Sequence, residues 1–328
     1  MAEQSVARRI LVTGASGFVG RAVVHRLIQD GVTSVSALYR NEPVNPPAGL
    51  CEYWVGDLEH ERAWHDALAK IDVIVHCAAL VHVASRGGES QIDNFRRVNV
   101  EGSCCLADAA IRSGCQRLVY VSTIKVNGEF TTDGHSFSER EAPAACDPYG
   151  LSKLEAERAL LSRACSSSLE VVVIRPPLVY GPGVKANFRS MMHWLHTGVP
   201  LPFGAIANRR SLVALDNLVD LLVLCTWHPA AANQVFLAGD GEDVSTPELL
   251  RRTAGALGCP ARLLPVPATW LRWAARLLGK AELVTRLCGS LQVDISKARS
   301  ILGWTPPIGL NEGLRQAADD FLSRRRDE

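Results

Sequence analysis

The chain has 328 residues, a formal net charge of +1, 47% apolar residues and 21% charged ones. This balance suits a soluble globular protein of about two domains, or one α/β domain with an appendage, and argues against nucleic acid or an anionic membrane as the main partner. Ten cysteines without a C-x-x-C pair read as buried thiols of a reducing compartment, and neither a signal peptide nor a bilayer-spanning run is evident, so the cytoplasm is the expected location.

Residues 9–13 (RILVT) predict a strand, and 18–30 a helix stopped by Gly31. Residues 35–39 and 52–55 predict two more strands, 61–70 a helix and 72–76 a fourth strand. A long helix over 95–113 stops at Gly114, followed by a strand at 117–122, a helix at 148–164 and a sixth strand at 170–175. Strands that are apolar at consecutive positions and alternate with helices define an α/β class: a Rossmann-type doubly wound parallel sheet, covered on both faces. After Pro176-Pro177 glycine and proline become frequent, and 181–187 and 200–210 read as loops. Asp216 is expected to N-cap a helix over 217–227, with later helices at 246–257, 268–278 and 310–323. The expected division is an NAD(P)-binding domain over 1–176 and a smaller mixed substrate-binding region over 177–328, parts of which return to the first domain. Residues 270–291, rich in Trp, Leu and Arg, fit either a membrane-contacting amphipathic helix or an ordinary helix with one face on the core; their mixed polar face favours the ordinary helix.

Residues 13–20 read TGASGFVG, with Gly14, Gly17 and Gly20 between the first strand and the first helix. Glycine is needed where backbone turns sharply and approaches a pyrophosphate, and the helix start presents free N–H groups of Ser16, Phe18 and Val19 to it. The second strand ends in Leu38-Tyr39-Arg40-Asn41. No carboxylate stands there for a ribose hydroxyl, and Arg40 suits the 2′-phosphate of NADP(H) better than NAD(H), unless it is a plain surface arginine. Asp57, in Gly56-Asp57-Leu58, is placed to accept from an adenine amino group or to N-cap the following helix. Ala78 and Ala79, after His76-Cys77, are small enough for a dinucleotide to lie across the strand ends.

Tyr149 and Lys153 form Y-x-x-x-K, and residues i and i+4 share a helix face. A free tyrosine has a pKa near ~10, too high for a base at neutral pH. An ammonium one turn away favours the phenolate. Thr123, at the end of the fifth strand, can bridge a substrate oxygen to the Tyr149 hydroxyl or simply bond its own backbone.

Together TGASGFVG, GDL, HCAA, NVEG (Asn99 in it), VSTIKVNG, YGLSK and RPPLVYGPG resemble the extended short-chain dehydrogenase/reductases, and within them the nucleotide-sugar branch that includes UDP-glucose 4-epimerases and UDP-4-keto-6-deoxy-sugar 4-reductases. The resemblance covers nearly the whole chain. It implies a catalytic Thr123, Tyr149 and Lys153, and a cofactor lined also by Leu58, Asn99 and Pro176. For a UDP-sugar it implies Asn187, Phe203, Arg210 and Arg286, while His82 stands in a loop that could touch the sugar or be structural or solvent-exposed; a guanidinium fork suits a diphosphate, although Arg210 also reads as the partner of an internal carboxylate. Leu178 departs from the Asn of many epimerases. It further implies a homodimer built on the helices at 95–113 and 148–164, and no metal.

A 4,6-dehydratase needs an acid–base carboxylate pair after the catalytic Thr; Ile124-Lys125 stands there, which rejects dehydration. Reductase and epimerase need the same three residues. Arg40 leans toward an exchangeable NADP(H), hence toward reduction of a UDP-4-keto-6-deoxy-hexosamine in O-antigen precursor synthesis, with an NAD-dependent UDP-sugar 4-epimerase as the alternative. A non-catalytic nucleotide sensor is disfavoured because Tyr149 and Lys153 are both present, and a steroid or flavonoid reductase because of the arginine-bearing 200–215 region.

Overall fold

The computed structural model describes residues 8–32, 34–59, 64–81, 91–132, 134–277 and 287–326. Seven strands form one sheet: β1 (Arg9–Thr13), β2 (Ser34–Tyr39), β3 (Glu52–Val55), β4 (Val73–His76), β5 (Arg117–Val121), β6 (Glu170–Arg175) and β9 (Val235–Leu237), in the order β3-β2-β1-β4-β5-β6-β9. Every pairing is parallel. The order reverses between β1 and β4, where the crevice of such a sheet opens beyond the strand ends. Ile10, Val12, Val73, Val75 and Val119 pack one face, and Leu11, Ile74, Leu118 and Val171 the other, which is why these strands read as unbroken apolar runs.

On the first face lie α1 (Phe18–Gln29) and α6 (Leu215–Trp227), joined by the Arg26–Asp220 ion pair at 2.9 Å. On the other lie α3 (Gly102–Arg112) and α4 (Pro148–Cys165), joined by Arg163 and Asp108. A second sheet of β7 (Leu178–Tyr180), β8 (Arg210–Ala214) and β10 (Asp243–Val244) carries α5 (Ala186–His196) and α7 (Thr246–Ala256) around a third apolar cluster. The 176/177 boundary is therefore crossed twice, since β9 and α6 return to the first sheet.

Several expectations are corrected. The helix predicted over 95–113 is split into α2 (Gln91–Arg96), a π-turn (Arg97–Glu101) and α3. Gly102 passes so close to Leu58 that an added Cβ would lie 2.9 Å from its Cβ. Of the helix predicted at 61–70, the described part is a 3₁₀ turn at His65–Leu68. Asp216 does not cap α6: the chain runs straight from β8 into the helix, Ala214 is the N-cap, and Asp216 sits in the first turn, where a carboxylate suits the helix dipole. Helix α5 was not anticipated at all; its polar–aromatic sequence begins inside a stretch that reads as a glycine-rich loop.

Candidate active site

The glycine turn forms where β1 meets α1. Gly14 has φ +66°, and an added Cβ would lie 2.7 Å from the backbone N and Cα of Ala78. A Cβ on Gly20 would lie 2.3 Å from the Gly14 carbonyl oxygen. Both glycines are thus required sterically, one by conformation and contact, the other by contact alone. Gly17 N–H donates to the Gly14 carbonyl at 2.8 Å and starts α1 with no side-chain cap, leaving the helix start available to an anion. Ser16 is exposed, while Phe18 and Val19 lean on the core. These features fit a dinucleotide pyrophosphate.

Around this turn, Arg40 is exposed at the tip of β2, and nearby Tyr53 donates to Glu42 at 2.7 Å. Asp57 is half-buried, its carbonyl accepting from Trp64 Nε1 at 3.0 Å, and Leu58 packs under Gly102. Ala78 and Ala79 leave β4 beside Gly14, half-buried.

Below Ala78 runs a buried chain of hydrogen bonds whose proton order can be deduced. Ser103 Oγ donates to the Asn99 carbonyl at 2.7 Å, so it accepts from His76 Nε2 at 2.9 Å. His76 Nδ1 then accepts from Thr13 Oγ1 at 2.6 Å, and Thr13 in turn accepts from Ala78 N–H at 3.3 Å. Burial, with a smaller effect from the charge of Lys153, pushes the imidazole down to about 3, so His76 is neutral and fixes the end of β4. Asn99, inside the π-turn, accepts from Leu80 N–H at 2.8 Å and donates to the Leu80 carbonyl and to Ser152 Oγ, both at 3.0 Å. These three bonds clamp the loop after β4 to α4.

Helix α4 begins with Asp147 as N-cap, accepting from Gly150 N–H at 2.7 Å, and with Pro148 in its first turn. Tyr149 follows, its ring edge-on to Phe95 with centroids 6.0 Å apart. Burial and the Asp147 carboxylate hold this phenol well above the usual tyrosine range. Lys153 is 1% exposed, with Nζ 3.9 Å from the Tyr120 ring centroid, and burial pulls it down to about 7. Desolvation dominates and disfavours the charged form of both groups.

Thr123, half-buried, caps the short turn Ile124–Val126 by accepting from Lys125 N–H at a long 3.4 Å, so the local backbone role exists but is weak. Lys125 Nζ lies 5.9 Å from the Tyr149 ring centroid and pairs with Asp147, with Glu129 at 3.9 Å.

One turn beyond Lys153, sequence reasoning missed a buried network. Glu157 pairs with Arg175 at 2.6 Å and accepts from Ser122 Oγ, while Arg175 Nη1 donates to Asn127 Oδ1 at 2.9 Å. It joins the ends of β5 and β6 to α4 directly under Thr123 and Pro176, whose carbonyl accepts from Ile124 N–H at 2.9 Å. The i+4 spacing of Glu157 from Lys153 was the available signal.

On the substrate side Asn187 is exposed in the first turn of α5, beside Ala186 at φ 51°. Phe188 is buried and stacked on Tyr180. Phe203 is half-buried against Ile206 and Leu271. Arg210 Nη1 donates to the Gly289 carbonyl at 3.1 Å, and burial lowers its pKa. Leu178 is 47% exposed on β7. His82 and Arg286 lie outside the described residues. Among the described residues no group of three or more His, Cys, Asp or Glu is placed to hold a metal ion.

A parallel sheet with a glycine turn at its switch point, and Thr, Tyr and Lys beyond the neighbouring strands, defines a dinucleotide-dependent enzyme of the Rossmann type. The chain belongs to the NAD dependent epimerase/dehydratase family, whose pattern matches residues 10–239. It is 47% identical over 321 residues to a Vibrio cholerae protein named UDP-glucose 4-epimerase, covering 98% of this chain and 97% of that one. A UDP-glucose 4-epimerase of Mycolicibacterium smegmatis is 29% identical, over 96% and 99% of the two chains. Among solved structures, MoeE5 in complex with UDP-glucose and NAD is similar at 28% identity with a TM-score of 0.76, covering 98% of this chain and all of that one. Thermotoga maritima UDP-glucose 4-epimerase with UDP-glucose is similar at 25% identity and the same TM-score, with coverage of 98% and 100%.

Proposed function

We propose that this protein is an NAD-dependent 4-epimerase of a UDP-sugar. The observation that carries this reading is the full-length 47% identity to a protein named UDP-glucose 4-epimerase, in a chain that keeps Thr123, Tyr149 and Lys153. It reverses the order suggested by Arg40 alone. That exposed arginine favours NADP(H) and a single reduction, whereas the solved relative at 28% identity is described with NAD.

The dinucleotide, when bound, supplies the acceptor and donor of the C4 hydride. The glycine turn and the start of α1 hold its pyrophosphate, and Ala78 and Ala79 leave room along the strand ends. Tyr149 takes the proton of the C4 hydroxyl and returns it to the developing alkoxide, with Thr123 bridging and Lys153 beneath. Burial raises the Tyr149 phenol, and a cationic ring bound beside it would act against that rise. Arg210 and Asn187 hold the substrate diphosphate from the second sheet. Ile124 and Lys125 offer no carboxylate pair for elimination.

The test is conversion of UDP-glucose to UDP-galactose by the purified protein, with and without added NAD. Interconversion without net change in reduced cofactor supports the epimerase. Stoichiometric loss of NADPH or NADH with UDP-4-keto-6-deoxy-GlcNAc, and no interconversion, supports the reductase instead. Tyr149→Phe should lower turnover by several orders of magnitude with cofactor affinity nearly intact, and full activity in that variant removes Tyr149 from the mechanism.

A further inference from the structure

We propose that the outward face of helix α8 (Ala268–Leu277), carrying Trp270 and Trp273, docks this protein on the surface of an anionic phospholipid bilayer. The helix is anchored from beneath by Leu271, which is 8% exposed and packs with Ile206 and Cys288. Trp270 and Trp273 are 70% and 64% exposed, and three residues apart they share one side of the helix. Among the described large apolar side chains only Val44 is more exposed. Leu271 gives the helix one face on the core, as the ordinary-helix reading expects, and the two tryptophans stand in water.

The surroundings are braced and equally apolar. Leu201 N–H donates to the Arg262 carbonyl at 2.8 Å, and Leu264 N–H to the Leu201 carbonyl at 2.9 Å, tying together two segments from which Val199 and Leu264 emerge about half exposed. Exposed aromatic side chains on an anchored helix mark an interaction site rather than packing.

Charge identifies the occupant. From residue 249 to residue 281 the chain has no Asp or Glu, yet it carries Arg251, Arg252, Arg262, Arg272, Arg276 and Lys280. The whole-chain charge of +1 conceals this segment. Arg252 is engaged by Glu242 and Glu248, but Arg262 and Arg276 are exposed, the latter one turn from Trp273. Tryptophan beside arginine on a short helix is the composition that settles at the headgroup level, the rings in the acyl boundary and the cations on lipid phosphates. A second copy presenting the same face would set arginine against arginine. No described helix is long and apolar enough to cross a membrane, so α8 lies in the plane of the surface.

The full-length protein is floated with vesicles of phosphatidylcholine alone and of equal parts phosphatidylcholine and phosphatidylglycerol, at low and high salt. Flotation is expected only with the anionic vesicles, weakened by salt, with a blue shift of tryptophan emission. Trp270→Ser/Trp273→Ser should reduce vesicle affinity about tenfold or more, and Arg276→Glu should reduce it without touching the rings. Arg276→Glu also decides the matter should the double variant fail to fold. Failure of the parent to float with anionic vesicles, or equal flotation of the variants, overturns the proposal. So does sedimentation showing a dimer that the tryptophan substitutions dissolve in the absence of vesicle binding. None of these readouts depends on turnover of any substrate.

Discussion

Glu157→Gln is the most informative perturbation of the core beneath the site. The Glu157 and Arg175 side chains are 2% and 6% exposed, and their contacts run at 2.6, 3.0 and 3.2 Å. Glutamine keeps the shape and one acceptor but removes the charge, leaving a buried guanidinium with a neutral amide and Asn127. Removing one member of a buried pair costs about 3 kcal/mol or more, because the survivor cannot regain water. In a chain of this size that corresponds to a fall in melting temperature of roughly 5 °C. A second effect follows on Lys153. Cys77 and Glu157 are the groups whose charge opposes its burial, with Glu157 the stronger; the Cys77 thiol is pushed up to about 12 and so is neutral, and His76 is neutral as well. Without Glu157 the ammonium should lose its proton below about 7. Urea denaturation reads the first effect, and the Cε NMR shift of Lys153 across pH, assigned with Lys153→Arg, reads the second. A variant within about 0.5 kcal/mol of the parent, with the Lys153 midpoint unmoved, would refute the argument.

Gly14→Ala combines a left-handed φ of +66° with a contact of 2.7 Å to the Ala78 backbone, so calorimetry should show NAD affinity largely lost and a stability cost of roughly 2 kcal/mol or more. Lys153 gives up its proton near 7 when folded but near 10.5 when unfolded; between those values the unfolded chain binds more protons, so this residue makes stability rise with pH, and Lys153→Met should flatten that rise in urea midpoints taken across the window. His76 has the same sign lower down: stability should fall as pH drops from 6.5 toward 3, a slope that His76→Gln should reduce in acid titrations followed by circular dichroism. Asn99→Asp deletes the donor to Leu80 and Ser152 and should cost about 1–3 kcal/mol in chemical denaturation, whereas changing the exposed Asn187 should be nearly silent there.

The first sheet was legible because its strands are buried on both faces and every one of the six predicted there matches an observed strand to within a residue or so at either end. The glycine turn and the Tyr149–Lys153 spacing were legible for the same reason: each is a local backbone requirement written in a few consecutive residues. The π-turn was not, because helical periodicity passes through it unbroken. Strands β7, β8 and β10 have three, five and two residues, too short for alternation to show. The Glu157–Arg175 pair escaped because two charges 18 residues apart look solvated until β6 is laid beside β5. The desolvation of Tyr149 and Lys153 escaped because spacing reports which groups share a face and says nothing of how much water reaches them.

Asn99 ties the stretch leaving β4 to the helix that bears Tyr149, through one amide of fixed reach. A ligand settling against Ala78 and Ala79 is therefore expected to be felt by the helix that carries the phenol. Asparagine alone has a donor pair and an acceptor at that length: aspartate would set carboxylate against carbonyl, and glutamine would overshoot by a methylene. Drift at this position would first loosen the coordination between the two halves, leaving each half intact.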